Sequence, residues 1–253
     1  MKICVCVNPV PDFGENCILN DGIPDYDGIN YYIDRFDMAA YQTALKLKKS
    51  HGFAVTVLAP ENPLNEKCLK RIWALGADRC VWLKTVSDSI NNIASVMSSY
   101  LKVNRYDLVL TGSYSSNFST GGFGALLAEN SDIPVISDVI SVDFSTDGKY
   151  FVIRKKIQDH TVEEYKTDAK FLASVCAAEN VINYPSAFNL LNCENHSIDF
   201  IEDITSSAEC INCMPCSFHD ISSDIAAALV EGTEGELALK LIKLIEKKEL
   251  LLK

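Results

Sequence analysis

Apolar runs alternate with segments of helical period along the first half of the chain. Ile3, Val5 and Val7 alternate with Cys4 and Cys6, which predicts a first strand, Ile3–Val7, with both thiols as small core residues. Asp37–Lys49 places Met38, Tyr41, Ala44, Leu45 and Leu47 at helical spacing. The same reading gives strands at Ala54–Leu58, Cys80–Leu83 and Leu108–Leu110. Helices follow at Asn65–Leu75, stopped by Gly76, then at Ser89–Lys102 and at Gly122–Asn130 before Pro134. This β-α-β-α rhythm predicts an α/β fold with a mainly parallel sheet covered by helices on both faces.

The rhythm then changes. Lys149–Lys156 and Thr161–Tyr165 alternate on either side of Gln158-Asp-His160, predicting an antiparallel β-hairpin, and Phe171–Cys176 reads as a further core strand. From Asn180 to Asp220 little is periodic, so an arm of loops with room for one short helix is expected. Glu234–Leu251 is a helix with an apolar stripe through Leu237, Leu239, Leu241, Ile242, Leu244 and Ile245 that packs on the main domain or on a partner. The expected division is an α/β domain over 1–182 and a C-terminal arm and partner-packing helix over 183–253.

Charge narrows the partners. The net charge of -11 argues against a nucleic-acid backbone or an anionic membrane surface. No apolar stretch reaches the ~18 residues a membrane helix needs. The opening MKICVCVNPVPD reads as a strand rather than a signal peptide, so a cytoplasmic protein with its ten Cys reduced is expected.

Candidate chemistry concentrates in TGSYSSNFSTGGFG, Thr111–Gly124, between a strand and a helix. This stretch contains no charged residue, Cys or His, so it lacks acid–base or metal chemistry. It is rich in backbone N–H groups and hydroxyls, which hold anions. Ligands of open parallel sheets sit beyond the carboxyl ends of the strands, where this loop lies. A helix starting near Ser119 or Thr120 leaves the amides of Thr120, Gly121, Gly122 and Phe123 without intrahelical partners, at the positive end of its dipole. Gly121 and Gly122 allow close approach, while Ser119 or Thr120 caps the helix or bonds a phosphate oxygen. Capping alone would use the same residues, and both readings stand at this point. The Lys of a GxxxxGK(S/T) loop is missing, which argues against γ-phosphate transfer.

Five stretches in order carry a family resemblance. MKICVCVNPVPD resembles an opening strand with a "VPD" turn, and IDRFDMAAYQTALKLKK resembles an "NPFDEYALEEALRLKE" helix. ALGADRCVWL resembles "AMGADRAILL". TGSYSSNFSTGGFGALLAENSDIPVIS is similar to "GKQAIDGDTGQVGPQLAELLGIPQVT" without a gap, and EGTEGELALKLIKLI resembles a closing helix. These belong to the electron transfer flavoprotein beta subunits, Fix-type and electron-bifurcating relatives included.

The resemblance implies an adenine-nucleotide-binding, Rossmann-like fold and a heterodimer with an alpha subunit. It further implies electron passage between a flavin dehydrogenase, or another redox partner, and an acceptor, with bifurcation in some relatives. The cofactor implied is FAD, or AMP in its place, with no acid–base catalysis by this chain. Carried over by position, the nucleotide site comprises Cys6, Asn8, Asp34, Phe36, Ala59, Gly112, Ser115, Ser116, Asn117, Ser119, Thr120, Gly121 and Gly122. Cys6 and Phe36 also read as core packing. Asp34 stands where the family often has Asn, and its carboxylate suits ribose hydroxyls or the adenine amine. A non-redox adenine-nucleotide-sensing module of the same fold is the alternative.

Two departures stand out. The usual "DGDT" is Asn117-Phe-Ser-Thr120, which removes two carboxylates, and Tyr114 and Phe118 add aromatic surface. The usual "RYPTLPNIMKAKKK" arm becomes NYPSAFNLLNCENH, with Ala187 at the anchor position and Phe188, Leu190 and Leu191 as a different, apolar arm. Further on, Cys210, Cys213 and Cys216, with His219 nearby, make three quarters of an iron–sulfur run or a partial zinc set. The fourth Cys of such a run is missing, so clustered surface thiols are the preferred reading and no metal is assigned.

Overall fold

A computed structural model describes residues 1–12, 19–20, 23–24, 29–62, 66–158, 161–176, 185–202 and 232–247. The chain divides into two units, one of Met1–Ile18 and Asp25–Pro215, the other of Leu19–Pro24 and Cys216–Lys253.

In chain order the elements are β1 (Lys2–Cys6), β2 (Pro9–Pro11), β3 (Leu19–Asn20), β4 (Ile23–Pro24), β5 (Tyr31–Ile33), α1 (Arg35–His51) and β6 (Ala54–Pro60). Next come α2 (Glu66–Leu75), β7 (Arg79–Leu83), α3 (Ile90–Val103), β8 (Leu108–Gly112), α4 (Phe123–Ser131) and β9 (Val135–Phe144). The rest are β10 (Phe151–Gln158), β11 (Thr161–Thr167), β12 (Phe171–Val175), α5 (Ala187–Cys193), β13 (Asp199–Ile201) and α6 (Glu234–Lys247).

In the first unit nine strands form one sheet in the order β11-β10-β9-β12-β8-β1-β6-β7-β13. All neighbours from β9 to β13 in that order are parallel, and the β9-β10-β11 end is antiparallel. The α/β expectation therefore holds, as do the hairpin and the Phe171 strand.

Period-two alternation explains the layering. Ile3, Val5 and Val7 share one buried cluster with Tyr41, Leu47, Leu69 and Ile72 of α1 and α2. Cys4 and Cys6 face the opposite cluster, with Ile93 and Met97 of α3 and Leu127 of α4. Helices thus cover both faces, and each fully buried Leu or Ile contributes roughly 1.5–3 kcal/mol. An edge-to-face set of Phe53, Phe144, Phe151 and Phe171, with ring centroids 4.9 to 5.4 Å apart along the chain of contacts, packs beneath the antiparallel end.

Four strands of this unit exceed the expectation: β9, β2, β5 and β13. β9 has no counterpart in the apolar pattern: its Ser137, Asp138, Ser141 and Asp143 break the run, and a register shift lets Asp138 adopt φ 57 beside β12. The two-stranded pairing of β2 with β5 and the addition of β13 to the β7 edge rest on a few residues each, fixed by tertiary contact. In the arm, α5 is the short helix. Asn189 Nδ2 donates to the Ala74 carbonyl of α2 at 2.9 Å and His196 stacks on Trp73, while Phe188 and Leu191 remain 73% and 77% exposed.

In the second unit, β3 pairs antiparallel with β4. α6 begins where Glu236 accepts from the Thr233 amide at 2.9 Å and from its hydroxyl at 3.0 Å. Its Leu239 and Ile242 are exposed. Among the described residues no helix is long and apolar enough to cross a membrane.

β1 lies between β6 and β8. From β1 the chain runs outward through α1, β6, α2 and β7, and α3 then carries it back to β8 on the other side. The strand order reverses there, and the carboxyl ends of β1, β6 and β8 open on a crevice.

Candidate functional site at the sheet switch point

The first turn of α1 organises the crevice. Asp34 caps the helix, accepting the Phe36 amide on Oδ1 at 3.0 Å. Its other oxygen accepts the Ser116 amide at 2.9 Å. One turn on, Asp37 accepts the Asn8 amide on Oδ2 at 2.8 Å and the Gly112 amide on Oδ1 at 3.0 Å. Asp37 is buried, and desolvation pushes its carboxyl up to about 7; the two amide bonds oppose that rise and the charge of Asp34 adds to it. No side chain fits at Gly112, because a Cβ there would lie 2.6 Å from Asp37 Oδ1.

The loop after β8 is a closed turn. Ser115 and Thr120 exchange backbone bonds of 2.9 and 3.3 Å, and within the turn Ser119 adopts a left-handed conformation, φ 50. Thr120 Oγ1 accepts the Gly122 amide at 3.1 Å, and α4 starts at Phe123 with no side-chain cap. The expected helix start near Ser119 or Thr120 is thereby corrected. The turn takes the Thr120 amide and the Thr120 hydroxyl takes that of Gly122, two of the four amides expected to be open. Gly121 is needed for the close approach, since a Cβ would lie 2.9 Å from the Ser113 carbonyl.

Two cavities flank this turn. One, of about 190 Å³, is lined by Asn8, Pro9, Tyr31, Pro60, Glu61, Asp88, Asn117 and Phe118, among others. Asn8 is only 5% exposed, and its Nδ2 has no hydrogen-bond partner among the described residues. A buried amide left so is costly; Asn92 Nδ2 and Ser141 Oγ share that state, but of the three only Asn8 lines this cavity, where an acceptor would satisfy it. Among the described residues the lining carries Glu61 and Asp88 but no Lys or Arg, so it suits hydroxyl and amine donors. The other cavity, of about 520 Å³, is walled by Tyr32, Arg35, Phe36 and Tyr114 with Asp34 and Ser116. The Phe36 ring lies 5.6 Å from that of Tyr114, and the Arg35 guanidinium sits 4.7 Å over it.

The residues named from sequence separate accordingly. Asn8 and Asn117 line the first cavity; Asp34, Phe36 and Ser116 line the second. Ser115 and Gly112 are buried in the framework between them. Cys6 and Ala59 stand fully buried at strand ends, within opposite core clusters. Cys210, Cys213, Cys216 and His219 lie outside the described residues. Among the described residues no group of three or more His, Cys, Asp or Glu could hold a metal ion.

Sequence reasoning missed Asp37, Arg35 and Glu61. Asp37 resembles any acidic residue in a helix first turn. Glu61 follows the end of β6, and the strand-end rule that picks out the β8 loop would have found it.

The family described as "Electron transfer flavoprotein domain" matches residues 25–187. The chain is similar to the electron transfer flavoprotein subunit beta of Bacillus subtilis, 26% identical over 208 residues, covering 80% of this chain and 79% of the relative. It is 30% identical over 179 residues to the corresponding protein of Clostridium acetobutylicum, covering 66% of each chain. Protein FixA of Sinorhizobium fredii is 25% identical over 230 residues, covering 81% of this chain and 78% of the relative. The family match spans more than half of the 253 residues, and the chain belongs to the electron transfer flavoprotein domain family.

Proposed function

We propose that the chain is the beta-type subunit of a heterodimeric electron transfer flavoprotein, holding an adenine nucleotide at the switch point between β1 and β8. Family membership and the beta-subunit relatives support electron transfer in company with an alpha subunit. The single observation that carries the nucleotide reading is Asn8, a buried amide with an unpartnered Nδ2 beside a cavity at the ends of β1 and β6. That group would donate to a ring nitrogen or hydroxyl of the ligand.

The residues present fit an adenine nucleotide. Asn117 and Glu61 offer polar groups to a base or ribose, and the first turn of α4, which has no side-chain cap, would receive a phosphate. FAD and AMP share this adenosine phosphate portion, and either satisfies the reading. When FAD is bound, its isoalloxazine ring supplies the electron chemistry, and the chain binds and orients it. The arm beyond 183, with Phe188 and Leu191 exposed on α5, is read as the surface facing a flavin dehydrogenase or another redox partner.

Reductive titration of the complex co-expressed with its alpha subunit tests this function. A flavin absorbance that bleaches with dithionite and recovers with an electron acceptor is expected. A complex without any flavin band overturns the proposal.

A further inference from the structure

We propose that Asp37 is a positioning residue for nucleotide binding, its carboxylate holding Asn8 and Gly112 in the one arrangement that receives the ligand. This rests on the nucleotide reading above.

Asn8 is the cavity residue with the unpartnered amide, and Gly112 is where β8 hands over to the turn that carries Ser116 and Asn117. Asn8 lies two residues beyond β1, and Gly112 ends β8, paired with Val175 of β12 but beyond the last residue paired with β1. Asn8 and Gly112 each direct an N–H at the same buried carboxylate, at 2.8 and 3.0 Å. These bonds span 29 and 75 positions of sequence, so one side chain ties α1, β1 and β8 together. The approach is close enough that glycine alone fits at 112, with Asp37 Oδ1, the Asp37 amide and the Phe36 carbonyl carbon at 2.6, 2.8 and 2.9 Å from a built Cβ.

Two acceptor oxygens are what the site uses. An amide in place of the carboxylate offers one acceptor and turns its own N–H₂ toward an N–H, so either Asn8 or Gly112 loses its partner. Asp37 itself lines neither cavity, and its action on the ligand passes through the residues it holds. Asp34 does the same for Ser116, but it also caps α1, which mixes two roles; Asp37 has the cleaner one.

The test measures AMP affinity at pH 8 by calorimetry on the nucleotide-stripped complex with the alpha subunit. It compares wild type, Asp37→Asn, Gly112→Ala and the double variant, with Ile153→Val as a destabilised control in β10, remote from the crevice. We expect each single variant to bind AMP at least tenfold more weakly while remaining folded. The double variant should be no weaker than the worse single, because both break one contact. Ile153→Val should bind as wild type does. Binding by Asp37→Asn equal to wild type overturns the positioning role alone. Losses that multiply in the double variant, or that Ile153→Val reproduces, also overturn it by showing general destabilisation. A wild-type complex that takes up no AMP and releases no adenine nucleotide on denaturation overturns the nucleotide reading itself. Should Asp37→Asn not fold, Gly112→Ala against Ile153→Val decides the positioning role by the same criterion.

Discussion

Asp34 and Ser116 lie 82 positions apart, yet the carboxylate of one accepts the backbone amide of the other at 2.9 Å. The same carboxylate caps α1. Helix start and ligand loop therefore share one anchor. Asp34→Ala removes both bonds, and a loss of about 1–2 kcal/mol is expected in urea unfolding. Asp34→Asn keeps the cap and should lose less than half as much. Equal losses would show that the Ser116 bond matters more than the cap.

Gly124 permits α4 to lie against the sheet. A Cβ there would meet Ser174 Oγ at 2.2 Å and Thr111 Oγ1 at 2.8 Å, two hydroxyls that bond each other at 3.2 Å. Gly124→Ala should cost about 1–3 kcal/mol through overpacking. In a Ser174→Ala background the cost should shrink, since the nearest clashing atom is gone. Thermal unfolding of the four proteins in this cycle checks it; additive effects would contradict the packing explanation.

Asp37 gives a pH signature. Its folded-state carboxyl titrates near 7, against about 3.9 in an unfolded chain. Between those values the folded state holds the additional proton. The stability tied to this group is therefore full below about pH 4 and is lost as pH rises through 7. Wild type should lose stability relative to Asp37→Asn in urea unfolding between pH 5 and 7.5. Parallel curves would mean that Asp37 ionises as an ordinary carboxyl.

Ser119 separates stability from binding. Its left-handed backbone costs a non-glycine residue ~1–2 kcal/mol, and glycine gives up ~0.4–1 kcal/mol of that relief through the unfolded chain. Ser119→Gly should thus stabilise the protein by about 0.5–1 kcal/mol. If its hydroxyl bonds the nucleotide, AMP affinity falls in the same variant. Calorimetry on the complex reads the second effect, and unchanged affinity would remove Ser119 from the site.

Most of the architecture is legible in the sequence because it depends on local period. The alternation of Ile3, Val5 and Val7 against Cys4 and Cys6 dictates a strand with two buried faces, and Tyr41, Ala44 and Leu47 dictate the core side of α1. β9 is not legible, because its polar Ser137 and Asp138 sit at an irregularity that only pairing with β12 explains. The site is half legible. Glycines and hydroxyls mark the loop after β8, since close approach and open amides follow from residue type. The turn closed by Ser115 and Thr120 is fixed by backbone pairing, and the roles of Asp34 and Asp37 depend on partners 29 to 82 positions away, which no local pattern reveals. Asp34 suits a ribose by its chemistry, and in the fold each of its oxygens also holds a backbone amide.

On the nucleotide reading, the crevice beside Asn8 receives an adenosine phosphate. Mass spectrometry of the small molecules released by denaturing the complex, purified with its alpha subunit from wild type and from Asn8→Ala, tests this without intermediate steps. We expect FAD or AMP attributable to this chain in the wild type and a clear reduction in the variant. A wild-type complex that releases no adenine nucleotide from this chain, or an Asn8→Ala complex that retains it in full, would contradict nucleotide binding at Asn8.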